Sequence, residues 1–332
     1  MAKFFRVVLM LILVVLCSTA MAANIRDYAD DSSDWGPAIQ RAIDNLVDDD
    51  GKWPDMSGGI IEFPRGRYPV KTPIIVRCPN VALRGCGGPK TYACTIEWQG
   101  ENPNDALFTM VSKDKPATER SYGFKARGIY FHAKKSGTAF RFSPPDQYLR
   151  PFKFADCAIK YFAKAFEFQN APGGSSTYGG LAVLDSELMY NGQVIDATSG
   201  RLNEFQFQRC LIEKNGLQSE GWEPQYAIDL KGGSNGAFYG CVLEAQPLVI
   251  RVRQYYGFRL EGCRFERNLT LATDQPPCLF EDCNGVYVQC MNRLLSGGTG
   301  PDKPPIVELR RCRDYRVEPM AGAVTISREW EN

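Results

Sequence analysis

The chain has 332 residues, 44% hydrophobic, 12% aromatic and 23% charged, a globular composition with material for a large core and too apolar for a disordered or collagen-like chain. Lys and Arg number 39 against 38 Asp and Glu, so no charge excess points to nucleic acid or an acidic membrane surface as a partner. A single histidine, His132, excludes a His-rich metal site and any mechanism that needs two imidazoles.

Residues 1–22 read as an export signal. Lys3 and Arg6 form a basic start, and Val7 to Leu16 is an apolar run too short to span a bilayer. Ser18-Thr19-Ala20-Met21-Ala22 then offers small residues to a peptidase. Cleavage is expected after Ala22. The alternative, lipidation at Cys17, is opposed by Leu16, where a small residue is wanted. No later stretch is apolar enough for a membrane span. The expected mature chain, 23–332, is secreted, periplasmic or at the cell surface, and no linker divides it. Its eleven cysteines would by default form disulfides there, although an odd number leaves at least one free. The absence of any Cys-x-x-Cys pair weighs against zinc ribbons and redox motifs.

Ser33 to Leu46 predicts a short amphipathic helix, capped by Asp34 or Ser33, with Ala38, Ile39, Ala42, Ile43 and Leu46 on one face. Gly58-Gly59-Ile60-Ile61-Glu62-Phe63-Pro64-Arg65-Gly66-Arg67-Tyr68 and Val81-Ala82-Leu83-Arg84-Gly85 follow.

Further along, the chain repeats. The pattern apolar-x-apolar-x-x-Cys-x-apolar occurs at Phe152 to Ile159, Leu181 to Leu188 (with Ser186 for Cys), Phe205 to Ile212 and Phe258 to Phe265. It recurs less completely around Cys241, Cys283 and Cys312, in steps of 20 to 31 residues. Each unit carries another alternating segment, such as Ala139-Phe140-Arg141-Phe142, Ala165-Phe166-Glu167-Phe168, Val194-Ile195-Asp196-Ala197, Ala227-Ile228-Asp229-Leu230 and Val249-Ile250-Arg251-Val252. Period-two alternation marks strands with one buried face. Three short strands per unit, with turns of variable length, predict a parallel β-helix, an all-β solenoid in which strands stack coil upon coil at about 4.8 Å. Cys157, Ser186, Cys210, Cys241, Cys263, Cys283 and Cys312 would then form an inward ladder of small apolar filler. Cys78, Cys86 and Cys94 fall outside it and are the better disulfide candidates. The predicted helix would cover the open apolar end of the solenoid.

The run Asp-Asp-Ser-x-Asp-x-x-x-Ala-Ile-Gln-x-Ala-Ile-Asp, then Gly-Gly-x-Ile-x-Phe-Pro-x-Gly-x-Tyr and Val-x-Leu-Arg-Gly, resembles the N-terminal part of the pectate lyase-like β-helix superfamily over residues 24–88. The resemblance implies a single-stranded right-handed parallel β-helix, in a group that includes polysaccharide lyases, polygalacturonase-type hydrolases, epimerases and phage tailspike domains. Its members commonly place catalytic groups on an outer strand face. These motifs report capping and first coils rather than chemistry, because folds host many functions.

Stacking the outward residues of the alternating segments gives the column Arg141, Glu167, Asp196, Asp229, Arg251, Thr270, and beside it Gln169, Thr198, Lys231, Arg253. Like charges one coil apart repel unless a cation, a proton or arginines intervene, so this column either binds something or shifts pKa values. A second acidic column, Glu213, Glu244 and Glu266, competes with it, and a plain surface ladder of opposite charges is the bland reading. Loops 170–180 with Tyr178 and 214–226 with Trp222 and Tyr226 border the first column and suggest sugar contacts.

Two chemistries suit it. In β-elimination from a uronic acid polymer, Glu167, Asp196 and Asp229 would hold Ca²⁺ through oxygens, Arg141 and Arg253 would meet substrate, and Arg251, Lys231 or Arg253 would serve as base. In glycoside hydrolysis two carboxylates, Asp196 with Asp229 or Glu167 with Asp229, would act as acid and base. The hydrolase motifs that the resemblance would supply, an adjacent Asp-Asp, Gly-His-Gly and Arg-Ile-Lys, are missing. A non-catalytic glycan-binding solenoid is the third reading. His132 reads as a surface or turn residue, Asn268-Leu269-Thr270 as a sequon, and Gly297-Gly298-Thr299-Gly300-Pro301 as a turn-rich loop without the Lys of a phosphate loop.

Overall fold

In a computed structural model, residues 22–46, 58–77, 80–111, 121–143, 149–170, 177–266, 275–293, 307–318 and 324–327 are described. The expected signal, Cys78, the sequon and the 297–301 loop lie outside them. The described strands wind into three parallel sheets, making the chain a right-handed parallel β-helix. Sheet A begins with Ile74–Val76, Ala106–Met110, Thr138–Phe142, Lys164–Phe168 and Gln193–Ala197, and continues through the starts of Tyr226–Tyr239 and Leu248–Glu266 to Cys278–Glu281, Val307–Arg310 and Val324–Ser327. Sheet B includes Leu149–Ala155, Leu181–Leu184 and Gln206–Gln208. Sheet C includes Tyr130–His132, Ala158–Lys160, Glu187–Met189 and Leu211–Glu213.

Alternation fills the interior with columns of identical or similar side chains. Along sheet A, Ile74, Phe108, Phe140, Phe166, Ile195, Ile228, Ile250, Cys278 and Val307 lie one above another. The rings stack as the strands do: Phe108 on Phe140 at 5.5 Å and Phe142 on Phe168 at 4.5 Å. At the N-terminal end, helix α1 (Gly36–Asp44) buries Ala38, Ile39, Ala42 and Ile43 in the same core. Trp35, not Ser33 or Asp34, occupies its N-cap position. The Asp34 carboxylate instead accepts from Gly36 N, Lys71 N and Thr72 Oγ1 at 2.9, 2.9 and 2.7 Å, tying the helix to the loop before sheet A.

The cysteine ladder is a turn device. Between sheets B and C, a residue of positive φ (Asp156, Asp185, Arg209, Gly240, Gly262) precedes Cys157, Ser186, Cys210, Cys241 and Cys263. Each side chain donates back to the carbonyl two residues earlier, as Cys157 Sγ does to Ala155 O at 3.3 Å and Ser186 Oγ to Leu184 O at 2.7 Å. These residues are stacked, as expected, but three assignments change. Cys94 belongs to the ladder, because Thr95 pairs with Tyr130 and Tyr130 with Ala158, placing Cys94 two coils above Cys157. Cys290 continues the ladder below Cys263. Cys283 and Cys312 sit at a different corner, between sheets A and B, where the same turn follows Asp282 and Arg311. No disulfide joins the described cysteines; Cys86 and Cys94 are free thiols.

A second ladder lies at the corner between sheets C and A. Asn191, Asn215 and Gln246 are fully buried. Asn191 Oδ1 accepts from Phe162 N at 3.0 Å and Asn215 Oδ1 from Asn191 N at 2.9 Å, so side-chain amides satisfy backbone groups where the ladder of strands is interrupted.

Candidate functional site

On the outer face of sheet A the register places Arg141 beside Glu167, Glu167 beside Asp196, Asp196 beside Asp229 and Asp229 beside Arg251. Leu279, not Thr270, follows Arg251. The inward neighbours fix this column: Phe140, Phe166, Ile195, Ile228 and Ile250 are buried, so the residue after each faces out.

Every carboxylate in the column is met by cations. Glu167 accepts from Arg141 Nε at 2.6 Å and from Lys164 Nζ at 2.6 Å, and the same ammonium reaches Asp196 at 2.8 Å. Asp196 also accepts from Thr198 Oγ1 at 2.7 Å and Thr198 N at 3.2 Å. Asp229 takes both Arg251, through two contacts, and Arg253, at 3.1 Å. Burial alone would raise the carboxyl pKa of Glu167, but Lys164 and Arg141 outweigh it and hold the group below its ordinary value. Burial is likewise outweighed at Asp196 by Lys164 and Thr198. At Lys164 burial favours the neutral amine, yet its bonds to Asp196 and Glu167 hold the pKa above the ordinary value.

This arrangement does not suit a calcium ion. The Lys164 ammonium stands between Glu167 and Asp196, where a shared cation would bind, and Asp229 is turned to two arginines. Among the described residues no group of three Asp, Glu, His or Cys is gathered for a metal. Arg251 and Arg253, expected as a base and a substrate contact, are partners of Asp229, and Arg141 is bound to Glu167 and to Asn104 O.

An open groove of about 600 Å³ borders the column at the corner between sheets A and B. Thr198, Ser199, Arg201, Lys231, Ser234 and Tyr256 line it, with Asn203 and Gln254. Gly233, at φ +127°, forms its floor: a Cβ there would stand 2.3 Å from Leu202 O. Tyr256 is 64% exposed, and Arg201 and Lys231 are exposed and make no ion pair with another described residue. The groove therefore presents two uncommitted cations, several hydroxyls and an aromatic ring.

Lys231, expected as a base, lines this groove, whereas the three aromatic residues expected as sugar contacts do not. Tyr178 is fully buried, its hydroxyl donating to Phe142 O at 3.0 Å, and is a core residue. Trp222 lies at the corner between sheets C and A, its indole N–H donating to Tyr190 O at 3.1 Å. Tyr226 is buried with its hydroxyl on Pro276 O. The competing column of Glu213, Glu244 and Glu266 is in register on sheet C, where Lys214 pairs with Glu213 and Arg264 with Glu266. Sequence reasoning missed Lys164, because strict alternation would turn it inward with Phe166. It also missed Arg201 and Tyr256, which lie at the corner between sheets A and B, outside the alternating segments.

No family model and no curated protein matches this sequence. Solved structures do match. "Geobacillus virus E2 - ORF18" aligns at 16% identity and TM-score 0.58, over 93% of this chain and 63% of that one. The catalytic unit of a GH87 α-1,3-glucanase from Streptomyces thermodiastaticus strain HF3-3 aligns at 13% identity and TM-score 0.51, over 93% and 63%. DFA-IIIase from Arthrobacter chlorophenolicus A6 aligns at 11% and 0.56, over 92% and 88%. The chain spans 63% of the length of the first two. The likeness is one of fold.

Proposed function

We propose that this chain is an exported carbohydrate-active β-helix protein of the pectate lyase-like type, binding an acidic, uronate-containing polysaccharide in the groove beside the sheet A column and cleaving it by β-elimination. The observation that carries the reading is the pair of exposed, uncommitted cations, Arg201 and Lys231, flanking Tyr256 next to carboxylates that are already neutralised. The fold is one that also carries a glucanase and DFA-IIIase.

In this scheme Arg201 pairs with the sugar carboxylate and spreads the charge that develops as the α-proton leaves. Lys231, once its ammonium has given up a proton to solvent, takes that C5 proton. The C–H electron pair becomes the C4–C5 double bond, the C4–O bond breaks, and the departing oxygen takes a proton from the Tyr256 hydroxyl, which Lys231 then restores. The column acts as a rigid, ion-paired wall. A hydrolase needs one protonated carboxyl, and the depressed values of Glu167 and Asp196 oppose that role.

The test is ultraviolet absorbance of unsaturated product on polygalacturonate, alginate and related polymers. Lys231→Ala is expected to lower kcat at least 100-fold, in line with loss of a general base, and Arg201→Ala to lower kcat as well as raise KM. An unchanged rate in Lys231→Ala would remove it as the base. Binding of an acidic polymer with no product from any would favour a non-catalytic glycan-binding protein, a reading consistent with the complete ion pairing of the column.

A further inference from the structure

Sheet C and its corners carry a chain of aromatic side chains that the groove does not use. Tyr92, Tyr130, His132, Tyr161 and Tyr190 touch in sequence, with centroids 4.5, 5.4, 5.3 and 5.0 Å apart. Trp222 joins the far end through its bond to Tyr190 O. Tyr92 is 45% exposed, and the others, Trp222 included, are half-buried, so the strip is partly open to solvent.

Three further observations concern this strip. Tyr92, Tyr161 and Tyr190 have φ of 46°, 65° and 59°, a conformation costing a bulky residue about 1–2 kcal/mol that Gly or Asn would largely avoid. His132 Nδ1 is buried and finds no hydrogen-bond partner among the described residues, and burial holds the imidazole pKa down, so the ring is neutral at pH 7. Lys160, 5% exposed beneath the strip, donates to Glu187 at 2.7 Å and to the Tyr92 hydroxyl at 2.8 Å, fixing Tyr92 in place. Other cations along the strip are paired too: Lys135 with Glu220, Lys214 with Glu213 and Arg67 with Glu97. The surface is thus aromatic and rich in hydroxyls, with most of its charges paired and Lys134, beside His132, exposed without an ion pair among the described residues. That suits an uncharged ligand and contrasts with the groove on the other corner.

We propose that this strip is a second carbohydrate site, for a linear neutral glycan lying along the helix axis. Successive coils rise about 4.8 Å, close to the length of one pyranose unit, so Tyr92, the Tyr130 and His132 pair, Tyr161 and Tyr190, on four successive coils, would meet successive sugars. Sugar hydroxyls hydrogen-bond the phenols, and C–H faces lie against aromatic edges. The assignment does not depend on the acidic groove.

Native affinity electrophoresis of the full chain through gels containing dextran, laminarin, xyloglucan or galactomannan tests it. At least one neutral polysaccharide is expected to retard the protein, equally at low and high salt, with at least tenfold weaker affinity in Tyr161→Ala and Tyr92→Phe. Arg201→Ala should leave this retardation unchanged. Titration of the wild-type protein with the retarding glycan should shift Trp222 emission, a shift lost in Trp222→Phe, and this readout holds if Tyr161→Ala fails to fold. No retardation by any neutral polymer, retardation that salt abolishes, or retardation unchanged in both tyrosine variants would overturn the proposal.

Discussion

Lys164 holds two carboxylates on neighbouring coils, and Glu167 joins it to Arg141, so these four side chains form one network on an outer sheet face. Glu167→Gln removes the central anion. Breaking so well-shielded a pair is expected to cost about 3 kcal/mol near pH 7, read as a drop in denaturation midpoint. The pH dependence has a definite sign. Glu167 and Asp196 have folded pKa values below the ordinary ones, so their stabilisation is complete above the ordinary carboxylate range and is lost as pH falls through the depressed values. The gap between wild type and Glu167→Gln should therefore shrink towards pH 3. A gap constant from neutral to acid pH would show that the network does not hold the carboxylate ionised. The column itself was legible in the sequence, since Arg141, Glu167, Asp196 and Asp229 each lie between inward apolar residues. Its neutralisation was not. Lys164 turns outward where the strand begins, against the alternation that located the others.

At the scale of the turn, one local rule serves two corners. A residue of positive φ followed by Cys or Ser lets the side chain close on the carbonyl two residues back. The sequence signature is local, so it could not tell the corner between sheets B and C from the one between A and B, and Cys283 and Cys312 were read into the wrong ladder. Cys94 escaped because its coil has no alternating lead-in. Burial pushes the Cys94 and Cys157 thiols up to about 12, which makes them inert. Brief iodoacetamide treatment of the native protein, mapped by mass spectrometry, should label Cys86 and leave Cys94, Cys157, Cys210, Cys241 and Cys263 unlabelled until denaturant is added. Labelling of the buried set under native conditions would contradict the stacked turns. The amide ladder was legible but missed: Asn191, Asn215 and Gln246 each stand five positions after Ser186, Cys210 and Cys241, at a fixed place in the repeat. Asn191→Ala strands the Phe162 N–H and the Ile159 carbonyl that its side chain satisfies and should cost about 1–3 kcal/mol in chemical denaturation.

For the whole molecule, the solenoid turns separation along the chain into adjacency: Asp196 and Asp229 become direct neighbours, as do Asp229 and Arg251. The faces are chemically distinct as a result. The corner of sheets A and B offers exposed cations, whereas sheet C offers aromatic rings with mostly paired charge. No described helix is long and apolar enough to cross a membrane. Coil-to-coil stacking followed from the sequence because alternation and turn motifs are local and repeated. The groove did not, because its lining residues come from the corner between sheets A and B, outside the alternating segments. The account's central claim is that Arg201 and Lys231 make this groove a site for acidic glycan. Isothermal titration calorimetry with oligogalacturonate and oligoguluronate, on the wild type and on the Arg201→Ala/Lys231→Ala double variant, tests it most directly. Binding to one of these that weakens as salt rises and falls at least tenfold in the double variant is the predicted result. Equal affinity in the two proteins, or no binding of either oligouronate by the wild type, would contradict it.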